Sequence, residues 1–198
     1  MRKRCKIMYL LFDIETTGLP IRRDAPVSDI DNWPRIVQIA WLLCDNNGKI
    51  LKQKDYIIKP DGFEIPMKSV SFHGITTDFA QIHGKKIKTV LDEFLDVIDD
   101  KSIILVVHNY EFDGNCLGAE YFRILKRNPL DGKKVICTKL RSTNFCKIPS
   151  EWGGNKWPTL EELHEKLFRE KIKEKHRATF DVKTLRKCFF EMVKREII

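Results

Sequence analysis

Phe12-Asp13-Ile14-Glu15-Thr16-Thr17-Gly18 follows the apolar run Ile7 to Leu11, and the two stretches together decide the fold. The run is aliphatic apart from Tyr9 and is bounded by Gly18 and Pro20, which predicts a short buried strand. Asp13 and Glu15 stand two positions apart, so on a strand they project from one face with α-carbons roughly 6–7 Å apart. Two carboxylates held at a buried strand end repel each other and lose solvation, a cost that a cation or a proton must offset. A hard divalent ion with oxygen ligands, Mg²⁺ or Mn²⁺, is the natural compensator. Two solvated acids at a strand end give the same short pattern, so the rest of the chain has to decide between them.

The 198 residues suffice for one α/β domain, expected to span 1–198, with a sizeable core. Hydrophobic residues make up 42% of the chain and no stretch approaches about 18 apolar residues, so no membrane span is expected. Arg2, Lys3, Arg4 and Lys6 resemble a signal-peptide n-region, but Asp13 and Glu15 interrupt the apolar segment and no small-residue cleavage site follows. Cys5, Cys44, Cys116, Cys137, Cys146 and Cys188 form no C-x-x-C, which points to free thiols in a reducing, cytoplasmic compartment. The net charge is +8, and between Tyr121 and Arg141 seven basic residues face one acid, Asp131. That bias favours polyanions through salt-sensitive phosphate contacts, although a solvated basic face has the same composition.

Residues Leu19 to Pro34 carry three prolines and several aspartates, which predicts a long loop beside the Asp13/Glu15 site, pinned by Trp33. Ile36 to Cys44 and Ile50 to Ile58 read as antiparallel strands joined at Asp45-Asn46-Asn47-Gly48. Met67 to His83 reads as short helical turns broken at Gly74 and Gly84, and Thr89 to Asp99 carries a helical apolar stripe. Ile103 to Val107 is uninterruptedly apolar, as expected of a strand buried on both faces. A helix to about Lys126, a fifth strand at Val135 to Thr138, a helical turn to Phe145 and a Gly/Trp-rich loop to Pro158 follow. Thr159-Leu160-Glu161-Glu162 is a capping box opening a helix through Phe168. The last helix carries Ala178, Val182, Leu185, Phe189 and Met192 in one stripe. The order predicts a mixed five-stranded sheet, its first three strands antiparallel, flanked by helices.

Asp113 lies just past the fourth strand, a frequent place for functional groups in α/β sheets. Asp181 adjoins the buried stripe of the last helix and is expected to point inward, paired or bound to metal. His176 precedes it by five residues, about 140° off the same helical face. The two reach one site only if His176 stands in the entry loop.

FDIETTG, HNYEFDGN and HRATFDV, in this order, resemble the three motifs of the DEDDh (DnaQ-like) 3′→5′ exonucleases, a family with an RNase H-like fold. HGIT at His73 to Thr76 and the Leu160/Leu163 helix resemble it as well, so the likeness spans nearly the whole chain. It implies that Asp13, Glu15, Asp113 and Asp181 hold two Mg²⁺ or Mn²⁺ ions and that His176 is the general base. It implies a metal-dependent exonuclease of the proofreading or repair type, acting on single-stranded or frayed DNA ends and releasing nucleoside 5′-monophosphates. A DNA polymerase or replication partner goes with that type. The same site is found in RNA-trimming members, and 2′-OH discrimination depends on pocket shape. The resemblance also places Thr16, Leu19, Phe72, His73 and Asn109 against the terminal nucleotide, with core packing the alternative for Leu19 and Phe72. The chain departs from the family in its long 19–34 loop and in Cys137, where many relatives carry an acid. A catalytically silent binding module is the competing class, disfavoured by intact acids. A zinc hydrolase is disfavoured by the lack of a His/Cys cluster with ligand spacing.

Overall fold

A computed structural model describes residues 7–172 and 177–198. His176 and the segment Arg2 to Lys6, with Cys5, lie outside the described residues. The elements are β1 (Met8–Thr16), β2 (Ile36–Asp45), β3 (Ile50–Ile57), α1 (Met67–His73), α2 (Thr77–His83) and α3 (Ile87–Ile98), then β4 (Ile103–Val107) and α4 (Tyr110–Leu125). β5 (Val135–Cys137), α5 (Thr138–Cys146), α6 (Leu160–Phe168) and α7 (Ala178–Lys194) complete the order.

The sheet runs β3-β2-β1-β4-β5. β1 pairs antiparallel with β2 and β2 with β3, whereas β4 lies parallel to both β1 and β5. This is the mixed sheet with an antiparallel start that the sequence predicts. Its first strand runs through both acids to Thr16, within the bound that Gly18 and Pro20 set. Pairing with β2 carries it there, since Asp13 stands opposite Ala40 and Glu15 opposite Gln38, before a bulge at Glu15/Thr16. Thr138, expected to end the fifth strand, instead opens α5.

The pleat of β1 sorts its side chains into two layers. Leu10, Phe12 and Ile14 enter the core under α3 and α4, with Trp41, Phe94 and Leu117. Leu11 and Tyr9 face α7 and pack with Ala178, Val182, Leu185 and Phe189. Asp13 and Glu15 share that second parity, so the strand aims both acids at the first turn of α7. The 3.6-residue stripe of α7 fixes its rotation, because burying an aliphatic or aromatic side chain is worth about 1.5–3 kcal/mol. On its other flank Cys188 and Met192 meet Leu163 and Leu167 of α6. The capping box at Thr159 is present in both directions, Thr159 accepting from the Glu162 N–H and Glu162 accepting from the Thr159 N–H. The five described cysteines are free and buried.

The 19–34 segment forms only turns and bends. Trp33 is buried in the main core and its Nε1–H donates to the Pro26 carbonyl at 3.1 Å, as the sequence suggests. The basic stretch between Tyr121 and Arg141 is not one polyanion-binding face. Arg123 turns inward, donating to the Trp33 carbonyl at 2.7 Å and pairing with Glu120, and Lys133 donates to the Ile98 carbonyl.

Candidate active site

Three elements deliver the acids. β1 supplies Asp13 and Glu15 through its two-residue period. α7 supplies Asp181 in its first turn, where the Asp181 N–H bonds the Arg177 carbonyl at 3.1 Å. α4 supplies Asp113, also first-turn and buried, whose N–H bonds the Asn109 carbonyl at 2.9 Å. One carboxylate oxygen each of Asp13, Glu15 and Asp181 lie within 4.8 Å of one another. Asp113 stands outside that triangle but inside its electrostatic field.

The charges act on one another strongly. Burial, then the carboxylates of Asp113, Asp181 and Glu15, pushes Asp13 well above the ordinary carboxylate range. Burial, then Asp181 and Asp113, pushes Glu15 up to about 8. Burial also raises Asp113, while backbone hydrogen bonds and the Lys139 cation pull the other way. A cluster of hard oxygen donors with such raised values fits divalent cations, which remove the repulsion that protons otherwise have to relieve. All donors being carboxylates, the set suits an oxygen-seeking ion better than a soft one.

Beside the acids lies a groove of about 610 Å³ whose walls include Glu15, Thr16, Gly18, Leu19, Phe72 and His73. Leu19 is 79% exposed and Phe72 59%, so neither is core packing. His73 is buried, and its Nδ1 accepts the Ile75 N–H at 3.1 Å, which leaves the proton on Nε2. Burial lowers its pKa, opposed by the adjacent Thr16 main chain, and Nε2 makes no hydrogen bond of good geometry among the described residues. Thr16 Oγ1 donates to the Gly18 carbonyl at 2.7 Å, shaping the exit from β1. Gly18 holds φ +154°, and a Cβ there would meet no atom within 4 Å. Its requirement is therefore the backbone angle rather than close packing. Asn109 does not join this groove; it lines a neighbouring basin with Lys139 and Trp157.

Spacing does not reveal the supports of α7. Gln38, opposite Glu15 in the sheet, accepts the Ala178 N–H at 3.3 Å and donates to Asp55 at 2.7 Å. Asp55 also receives the Thr179 hydroxyl. These bonds fix the start of α7, one turn before Asp181, against β2 and β3. His108 bridges Thr138 and the Pro158 carbonyl at 3.0 Å each, and burial lowers it to about 4, so it is a neutral structural bridge.

Residues 10–189 match the RNase_T family, described as "Exonuclease". The DNA polymerase III PolC-type of Listeria innocua is 25% identical over 186 residues, 94% of this chain and 11% of that protein. Its counterpart in Streptococcus mutans is 35% identical over 115 residues, 58% of this chain and 7% of that protein. Among solved structures, E. coli Exonuclease I in complex with a dT13 oligonucleotide aligns at TM-score 0.74 and 16% identity, covering 96% of this chain and 42% of that one. The zinc-ion-bound form of its single-stranded DNA complex aligns at TM-score 0.75 and 17% identity, covering 96% and 41%. The chain thus spans about a tenth of these polymerases and about two fifths of the exonuclease, whose likeness shows the shared fold.

Proposed function

The chain belongs to the RNase_T exonuclease family, and from that premise we propose that it is a metal-dependent 3′→5′ exonuclease acting on single-stranded or frayed DNA ends. One observation carries the proposal: Asp13, Glu15 and Asp181 converge within 4.8 Å beside a groove lined by exposed Leu19 and Phe72. The polymerase relatives and the oligonucleotide complexes of Exonuclease I support DNA as substrate and a DNA polymerase or replication protein as partner.

Asp13, Glu15, Asp113 and Asp181 would hold two Mg²⁺ or Mn²⁺ ions. Bound there, such ions supply Lewis-acid stabilisation of the charge that builds during in-line displacement at phosphorus. Thr16, Leu19, Phe72 and His73 would seat the terminal nucleotide, His73 as a neutral, buried support beside the Thr16 main chain. Asn109 would meet the strand from the adjoining basin. His176, by its place in HRATFDV, would take the proton of the attacking water. Water adds to the terminal phosphorus, the bond to the 3′ oxygen of the preceding sugar breaks, and a nucleoside 5′-monophosphate leaves.

The exonuclease domain is taken to span 1–198. No helix among the described residues is long and apolar enough to cross a membrane, and buried free thiols suit a reducing cytoplasm. The test is product sizing from end-labelled single-stranded DNA, duplex DNA and RNA with Mg²⁺, Mn²⁺ or EDTA. A metal-dependent ladder of 5′-monophosphates from the 3′ end of DNA is expected. Faster shortening of RNA would move the substrate class, and endonucleolytic fragments or activity in EDTA would reject the proposal.

A further inference from the structure

The groove at Phe72 and His73 adjoins a further concavity. A second basin of about 470 Å³ opens across Leu19 and Phe112, whose side chains line both. Its remaining walls come from the 19–34 loop through Ile21 and Arg23, from α5 through Lys139, and from the loop before α6 through Trp157. The terminal-nucleotide groove uses none of these.

Trp157 is 53% exposed although its backbone is fixed. The Lys156 N–H bonds the Ile148 carbonyl at 2.9 Å, Lys156 Nζ pairs with Glu162 at 2.6 Å, and the next residue, Pro158, accepts from His108 Nε2 at 3.0 Å. An indole half-exposed on a fixed backbone offers surface for stacking. Lys139 Nζ lies over the Trp157 ring, 4.6 Å from its centroid, and donates to Asn109 Oδ1 at 2.6 Å, so a positioned cation covers one face of the ring. Arg23 is exposed on another wall, and Glu111 is the acid that also lines the basin. Two cations and an apolar face match a phosphate joined to a base. Glu111 repels that phosphate toward the Lys139 and Arg23 side.

We propose that this basin is a subsite for the second nucleotide of a single-stranded DNA end, its base stacked on Trp157 and its phosphate held by Lys139 and Arg23. The proposal rests on the exonuclease reading above. The shared rim at Leu19 and Phe112 lets one strand pass from basin to groove directly. In a duplex the second base is stacked on both faces, so seating it on the indole requires an unpaired, unstacked end, and the subsite selects single-stranded ends.

A chromogenic p-nitrophenyl ester of thymidine 5′-monophosphate fills only the terminal groove, whereas a dT oligomer fills both. Trp157→Ala is expected to lower the ratio of kcat/KM on the oligomer to kcat/KM on the ester about tenfold, and Trp157→Phe to restore it. Arg23→Ala should lower the same ratio and reduce the salt slope of oligomer binding in EDTA by about 0.7. Unchanged ratios together with unchanged oligomer affinity overturn the subsite and leave the exonuclease reading standing. A wild-type protein that cleaves neither compound, yet loses oligomer affinity on Trp157→Ala, keeps the subsite and overturns the exonuclease reading.

Discussion

Glu15 on β1 and Asp181 on α7 bring carboxylate oxygens within 4.8 Å of each other across the sheet–helix interface, with Asp13 closing the triangle. Like charges at this range are sustained in a binding site but serve no purpose in a core. Asp13→Asn or Asp181→Asn is therefore expected to cut hydrolysis more than about a hundredfold, since even outer partners of metal ligands cost about 10–100-fold. The fold should survive, because Asp→Asn keeps the side chain's shape and relieves the repulsion among the clustered carboxylates. Phosphodiesterase assays beside thermal melts check both halves; wild-type turnover in either variant rejects the metal assignment.

The same repulsion sets a pH dependence. Asp13 and Asp113 are raised and Glu15 reaches about 8, so the folded protein holds protons that the unfolded chain has released. The contribution of these three carboxyls to the stability of the metal-free protein is then greatest below the ordinary carboxylate range and falls as pH rises toward about 8. Mg²⁺ or Mn²⁺ competes with those protons, so its stabilisation grows over the same window. In a chain of this length each kcal/mol moves Tm by about 2–4 °C. Melting at pH 5 and pH 8, with and without Mg²⁺, should show a larger metal-induced rise at pH 8. An equal rise at both values would falsify the account.

These relationships were unequally legible in the chain. The acids were readable because a strand's two-residue period and a helix's 3.6-residue stripe fix where Asp13, Glu15 and Asp181 point. The bulge that ends β1 at Glu15/Thr16 was not readable, since pairing with β2 rather than hydrophobicity sets it. Lys139, Trp157, Gln38 and Asp55 meet only through long-range contacts, and nothing in local spacing announces them. The charge count misjudged Arg123, which belongs to an internal ion pair and not to a polyanion-binding face.

Replacing His176 by Ala is expected to lower kcat by about 10²–10⁴, the usual contribution of a positioned acid or base. KM and oligomer affinity should change little, because the terminal groove is built from Thr16, Leu19, Phe72 and His73. The limb of the pH–rate profile near neutral pH should disappear in the variant. A retained limb with near-normal kcat would place the base elsewhere.

An ion cluster holds the returning end of the 19–34 loop, whose first residue, Leu19, lines the groove. Glu120, 1% exposed on α4, pairs with Arg35 at 2.8 Å and Arg123 at 3.3 Å and accepts the Ile36 N–H at 3.1 Å. Arg123 also holds the carbonyls of Ile30 and Trp33 at the returning end of the 19–34 loop. Removing the shared carboxylate leaves two guanidinium groups facing each other, one of them largely buried, and breaking such a pair costs about 3–5 kcal/mol. Glu120→Ala should therefore lower Tm by about 6–20 °C. Arg123→Ala, which frees the loop end directly, should raise KM for single-stranded DNA more than it lowers kcat, because Leu19 and Ile21 lose their fixed base. Limited proteolysis would then cut within 19–34 faster than in the wild type. A variant that melts early but keeps both KM and the cleavage pattern would show that the cluster stabilises the fold without positioning the groove.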